Sequence, residues 1–130
     1  MTGWTSQELT KIGTAEELQI QSMRRDGTLR RSVTIWVVRH DDRLYVRSVN
    51  GPTGSWFRGT RARGQGHIRA GGVDKDVRFV FVDVDDDVND QIDSAYRAKY
   101  GRYPARFVDP VLTPAARAAT IELVPVSAAV

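Results

Sequence analysis

Six consecutive residues, Val33-Thr34-Ile35-Trp36-Val37-Val38, are all β-branched or aromatic, and they constrain the fold more than any other stretch of the chain. In an extended strand successive side chains point to opposite faces. Val33, Ile35 and Val37 therefore share one face, and Thr34, Trp36 and Val38 share the other. Both faces are largely apolar, as in a barrel strand covered on each side.

The flanking signals extend this into a mainly β (α+β) chain. Residues 44–49 alternate Leu44, Val46, Ser48 with Tyr45, Arg47, Val49 and follow the polar turn at residues 40–43, so they predict a second strand. Residues 67–70 and 77–84, separated by the Gly71-Gly72 turn, predict two more. Residues 107–112 and 120–126 are candidate closing strands, giving about six. Thr5 or Ser6 can cap a short helix through Gly13, and Thr14, with Glu17 placed for a capping box, predicts a second helix from Ala15. Asp26-Gly27 marks a tight turn. Residues 56–63 suit a short helix, residues 90–100 a longer one stopped by Gly101, and Thr113-Pro114 a single helical turn.

A chain of 130 residues, 41% hydrophobic and 27% charged, is of the size and composition for a single domain, taken here as residues 1–130. No apolar run reaches the roughly 20 residues of a membrane helix, and residues 1–13 lack a secretory pattern, so a cytoplasmic protein is expected. The absence of cysteine removes thiolate catalysis, disulfides and zinc-thiolate or iron-sulfur sites. Asp83, Asp85, Asp86 and Asp87 lack the glycine and distal glutamate of a calcium loop, and no metal site is expected. The net charge of +3 is unevenly spread: Arg24, Arg25, Arg30 and Arg31 surround one turn, and Arg58, Arg61, Arg63, His67 and Arg69 fall in an acid-free stretch.

The loop after the second strand is the candidate anion site. Thr53, Gly54 and Ser55 give close backbone access before a helix start, Arg47, Ser48 and Arg58 offer charged and polar donors, and Trp56 can flank a ring. Set against this, Thr53 or Ser55 can simply cap a helix, Trp56 can be core and the arginines can be solvated. His67, Tyr96 and Tyr100 are the candidates for proton transfer, with Tyr103 nearby, while His40 lies in a polar turn; packing alone would equally explain the tyrosines. No Ser-His-Asp spacing, HExxH, Walker loop or dinucleotide glycine pattern occurs.

Several stretches taken together resemble the uncharacterised bacterial family numbered 2255 among domains of unknown function. They are residues 17–20, 26–30, 34–39, 44–48, Gly54-Ser55-Trp56, Gly71-Gly72-Val73 and residues 92–103. The order strand, Gly-rich loop, Trp, short helix, strand is also similar to split β-barrels of the pyridoxamine-phosphate oxidase and deazaflavin-dependent nitroreductase kinds. That resemblance implies a split barrel with flanking short helices, a homodimer, and FMN or a deazaflavin held by Arg47, Ser48, Thr53, Gly54, Ser55, Trp56 and Arg58. The chain departs from the nitroreductase-like pattern, which follows its Trp with an aromatic and an Asn, by reading Trp56-Phe57-Arg58-Gly59. Three functions follow as expectations: a flavin- or deazaflavin-binding oxidoreductase acting on a small organic substrate, a cofactor-free small-molecule binding protein or non-redox enzyme, and, least favoured, a nucleic-acid-binding module built on the arginines.

Overall fold

In a computed structural model, residues 3–126 are described. Seven antiparallel strands form one sheet: β1 (Leu18–Ser22), β2 (Val33–Ile35), β3 (Val38–His40), β4 (Arg43–Arg47), β5 (Gln65–Ala70), β6 (Val73–Phe81) and β7 (Thr120–Pro125). Their order is β2-β1-β5-β6-β7-β4-β3. Laid flat, seven strands would put the outer two about 29 Å apart. Yet β2 and β3 are joined by only Trp36 and Val37, which limits their adjoining ends to about 11 Å. The sheet must curl until its edges meet, and this defines a split barrel.

Two apolar cores follow from the alternation along the strands. Leu18 and Ile20 of β1, Leu44 and Val46 of β4, Ile68 of β5 and Ile121 and Leu123 of β7 fill the barrel, with Phe57. Tyr45 and Val38, paired across β3 and β4, face the other way onto the helix α3 (Val88–Tyr100), where Ile92, Tyr96 and Tyr100 are buried. Helix α1 (Ser6–Thr14) begins at a complete capping box between Thr5 and Glu8 and packs Leu9 and Ile12 against the barrel core. Among the described residues no helix is long and apolar enough to cross a membrane.

Three local expectations are corrected. Residues 33–38 are two strands rather than one, because residues 33–35 pair with β1 at one edge of the sheet and residues 38–40 pair with β4 at the other, leaving Trp36 and Val37 as the link. The helix expected from Ala15 is β1: Leu18, Ile20 and Ser22 alternate as buried positions, and pairing to both β2 and β5 outweighs the local capping signal. Residues 107–112 are helical, lying in α4 (Ala105–Val108) and a 3-10 turn (Asp109–Val111), with Pro110 removing a donor a strand would need. The helical turn at Thr113-Pro114 is α5 (Pro114–Arg117), capped by the Thr113 hydroxyl, which accepts from the Ala116 N–H.

Candidate functional site

Arg47 ends β4 with its side chain completely buried. A guanidinium carries five N–H donors, and here all five are committed. Nε donates to Thr120 Oγ1 at 2.9 Å, Nη1 to Asp93 Oδ1 at 2.5 Å and Val111 O at 2.9 Å, and Nη2 to Asn89 O and Oδ1 at 3.2 and 3.1 Å. Arg47 thus ties β4 to α3, β7 and the 3-10 turn, and has no donor left for an anion. Ser48 follows it, with its hydroxyl buried and unpartnered. Thr53 is exposed at the end of a 3-10 turn (Gly51–Thr53), its hydroxyl 3.4 Å from Asn50 O, and Gly54 leads into α2 (Ser55–Thr60). Arg58 is exposed on that six-residue helix.

Ser55 and Trp56 belong to a different grouping. They line a chamber of about 270 Å³ with Ile20 and Ser22 of β1, Val33 of β2, and Arg24, Arg30 and Arg31. The arginines come from the excursion between β1 and β2, which folds back through the Asp26-Gly27 turn and a bridge between Met23 and Leu29. Arg24 is oriented locally, its Nη1 donating to Thr28 Oγ1 at 3.2 Å and Leu29 O at 3.0 Å. Arg30 lies across Gly59 of α2, where a Cβ would come within 3.0 Å of its Nε and 2.9 Å of Ser22 Oγ; the missing side chain lets the excursion sit down on the helix. Among the described residues the guanidinium groups of Arg30 and Arg31 have no hydrogen-bond or ion-pair partner.

Trp56 also lines a second, mostly apolar chamber of about 220 Å³, with Thr34, Ile35, Trp36, Arg47, Val49, Phe107 and Val111. It therefore partitions a cationic space from an apolar one. Each space alone is smaller than the roughly 300–1,000 Å³ of ordinary ligand pockets, and the two share Trp56 as a wall. A planar ring in the apolar chamber, joined to an anionic tail in the cationic one, matches this division. The residues present thus fit a flavin carrying a phosphate. Neither histidine lines either chamber, so neither is placed to ligate a metal centre there.

The candidate proton-transfer groups lie elsewhere. Tyr96 and Tyr100 are buried in the α3 core, and burial pushes both phenols well above their ordinary range, so neither is an acid at neutral pH. The Tyr96 hydroxyl has no partner. That of Tyr100 accepts from the Val37 N–H at 3.3 Å and lies 2.9 Å from Glu16 O.

His67 lies on β5, with Nδ1 2.7 Å from Asp76 Oδ1 and Nε2 against Asp74. Its burial opposes the charge, but the hydrogen bonds to Asp76 and Asp74 outweigh it and raise its pKa. The stabilisation from this cluster is complete below the unfolded value of about 6.5 and is lost as pH rises through the raised folded value. His67→Gln should remove that decline; because Asp74 and Asp76 are largely exposed, the effect is below about 1 kcal/mol. Urea denaturation of both proteins across pH 5.5–9 checks it, and parallel pH profiles would refute it.

The curled seven-stranded sheet defines a split-barrel protein, in which two chambers share Trp56 as a wall. The chain belongs to the family described as uncharacterized proteins conserved in bacteria (DUF2255), whose model matches residues 8–123. Its fold is similar to that of HutZ, the heme storage protein of Vibrio cholerae, at 12% identity and TM-score 0.64, covering 95% of this chain and 91% of that one. It is also similar to an F420 reductase (17% identity, TM-score 0.52, 92% and 93% covered). A FAD-binding protein of Mesorhizobium loti gives 19% identity, TM-score 0.55, with 95% and 91% covered. At these identities the likeness is one of fold. No protein of curated function matches the sequence.

Proposed function

We propose that this chain, acting as a single split-barrel unit over residues 1–130, binds FMN or a deazaflavin and serves as an oxidoreductase on a small organic substrate. The observation that carries the reading is the partition at Trp56: three arginines on one side, an apolar slot on the other. Arg30 and Arg31, whose guanidinium groups have no partner among the described residues, would hold the phosphate, with the Ser22 and Ser55 hydroxyls beside them; Arg's planar fork suits that group. Trp36, Trp56, Ile35 and Phe107 would enclose the ring and exclude water from it. When bound, the flavin supplies electron or hydride transfer, and the protein contributes placement and electrostatics. The likeness in fold to an F420 reductase and to a FAD-binding protein supports the cofactor class.

Val49 and Phe107, 50% and 51% exposed at the lip of the apolar chamber, support closure of that lip by a second copy of the chain. Molar mass in solution, measured on the sample used for titration, tests this.

The test of the function is titration of the purified protein with FMN and with a deazaflavin, followed by fluorescence. Arg30→Ala and Arg31→Ala should each weaken binding about 10- to 150-fold, the worth of one charge-assisted hydrogen bond, while Arg58→Ala, outside both chambers, should bind like the parent. Binding unchanged in both chamber variants would place the ligand elsewhere. No binding of either compound would leave the cofactor-free reading, in which the same chambers take a small anionic aromatic molecule directly.

A further inference from the structure

An aromatic column starts at the wall of the apolar chamber and leads away from it to the surface. Trp36, in the chamber wall, stacks on Tyr100 with ring centroids 3.9 Å apart and planes within 3° of each other. Tyr103 lies 5.7 Å from Trp36 at 25°, and Tyr96 lies 6.2 Å from Tyr100. The rings run from the chamber wall to the half-buried Tyr103 at the surface.

The three phenols differ in what their hydroxyls touch. That of Tyr96 is buried and unpartnered. Among the described residues, that of Tyr100 hydrogen-bonds only to backbone groups of Val37 and Glu16. That of Tyr103 donates to the Glu16 carboxylate, which Arg102 also grips at 2.5 Å. Tyr103 and Arg102 together hold Glu16 below the usual carboxylate range, so it stays ionised. A phenol gives up an electron readily only if its proton can leave at the same time, because the oxidised, still-protonated ring is a very strong acid. Backbone carbonyls accept a hydrogen bond without taking the proton; a carboxylate takes it. Tyr103 alone of the three has such a base. An indole needs none for the first step.

We propose that Trp36 and Tyr103 form a one-electron relay between the apolar chamber and the surface, with Glu16 as the proton acceptor. The proposal rests on the flavin reading above. Trp36 passes one electron to a photoexcited flavin in the chamber. Tyr103 then returns one electron to Trp36 and releases its phenolic proton to Glu16. In sum the flavin gains one electron, Tyr103 loses one electron and one proton, and Glu16 gains the proton. The chamber thereby has a route for charge separate from the mouth through which a substrate would enter.

The experiment uses the full chain saturated with FMN, its binding fixed beforehand by titration, and detects tyrosyl radical by electron paramagnetic resonance after a blue-light flash. A tyrosyl signal is expected in the parent and in Tyr96→Phe, and its loss in Tyr103→Phe, Trp36→Phe and Glu16→Gln, with FMN affinity unchanged in Tyr103→Phe and Glu16→Gln. A signal that persists in Tyr103→Phe, or no tyrosyl radical in the parent with FMN bound, overturns the relay. If FMN does not bind, the functional reading fails separately. The Tyr103–Glu16 terminus is then tested with a soluble ruthenium polypyridyl photo-oxidant and persulfate. Loss of the radical in both Tyr103→Phe and Glu16→Gln supports the terminus, and its survival in either variant refutes it.

Discussion

Replacing Arg47 by methionine lowers the unfolding free energy by about 3–5 kcal/mol, the cost of leaving a buried carboxylate without its partner. The expectation comes from the completeness of the knot: the guanidinium is fully buried, its five donors reach Thr120, Asp93, Val111 and Asn89, and the Asp93 side chain is only 10% exposed. Arg117, with Nη1 3.4 Å from Asp93 Oδ2, still faces the orphaned carboxylate and draws the loss toward the lower end. The double variant Arg47→Met with Asp93→Leu should recover most of the loss, since an apolar pair of similar volume often replaces a buried ion pair at little cost. Urea denaturation of the three proteins decides it. A single variant within about 1 kcal/mol of the parent would mean that the knot holds nothing.

Gly66→Ala should cost about 3 kcal/mol or more, at or above the upper end of ordinary overpacking, because the obstacle is main chain rather than a side-chain tip. Gly66 lies on β5 opposite Gln21–Ser22 of β1, and a Cβ there would stand 2.1 Å from Gln21 O and 2.6 Å from Cζ of Phe79. Shrinking the ring by Phe79→Ala removes the second clash and leaves the first, so the combined variant should not be rescued. A melting temperature for Gly66→Ala equal to that of the parent would refute this, since it would require β1 and β5 to separate freely.

Elements whose signals are local were legible in the sequence. The Thr5 cap, the Asp26-Gly27 and Gly71-Gly72 turns, and the long helix stopped at Gly101 all depend on residues within a few positions of one another. β1 was not legible as a strand, although Leu18, Ile20 and Ser22 alternate with Gln19 and Gln21. A Thr-Glu capping pattern is a strong local cue, and the pairing that defeats it comes from residues 33–35 and 66–69. The apolar stretch after Arg106 was ambiguous for a related reason: four or five apolar residues fit a strand or a buried helical turn equally well, and the α3 core decides.

The pocket was legible only in part. Ser55 and Trp56 stand out beside the glycine loop, Arg24, Arg30 and Arg31 stand out as a basic cluster, and the structure brings both sets to one chamber. That the two sets share one chamber depends on the excursion docking against α2 at Gly59, a contact between segments some 30 positions apart. Arg47 shows the opposite effect. Beside a Ser and a glycine loop it reads as an anion ligand, and only the convergence of Asn89, Asp93, Val111 and Thr120 shows its donors already committed.

The two-residue link between β2 and β3 acts as the buckle of a belt. Both free margins of the sheet belong to the same short run of chain, and each margin is only three residues long. A foreign strand seeking to extend the sheet finds too little backbone on either side to grip, and on β3 it also meets the exposed charge of Arg39, so the molecule blunts edge-to-edge aggregation. The cleft that receives a ligand has the buckle itself, Trp36, in its wall. Any movement that parts β2 from β3 must therefore shift a wall of that chamber.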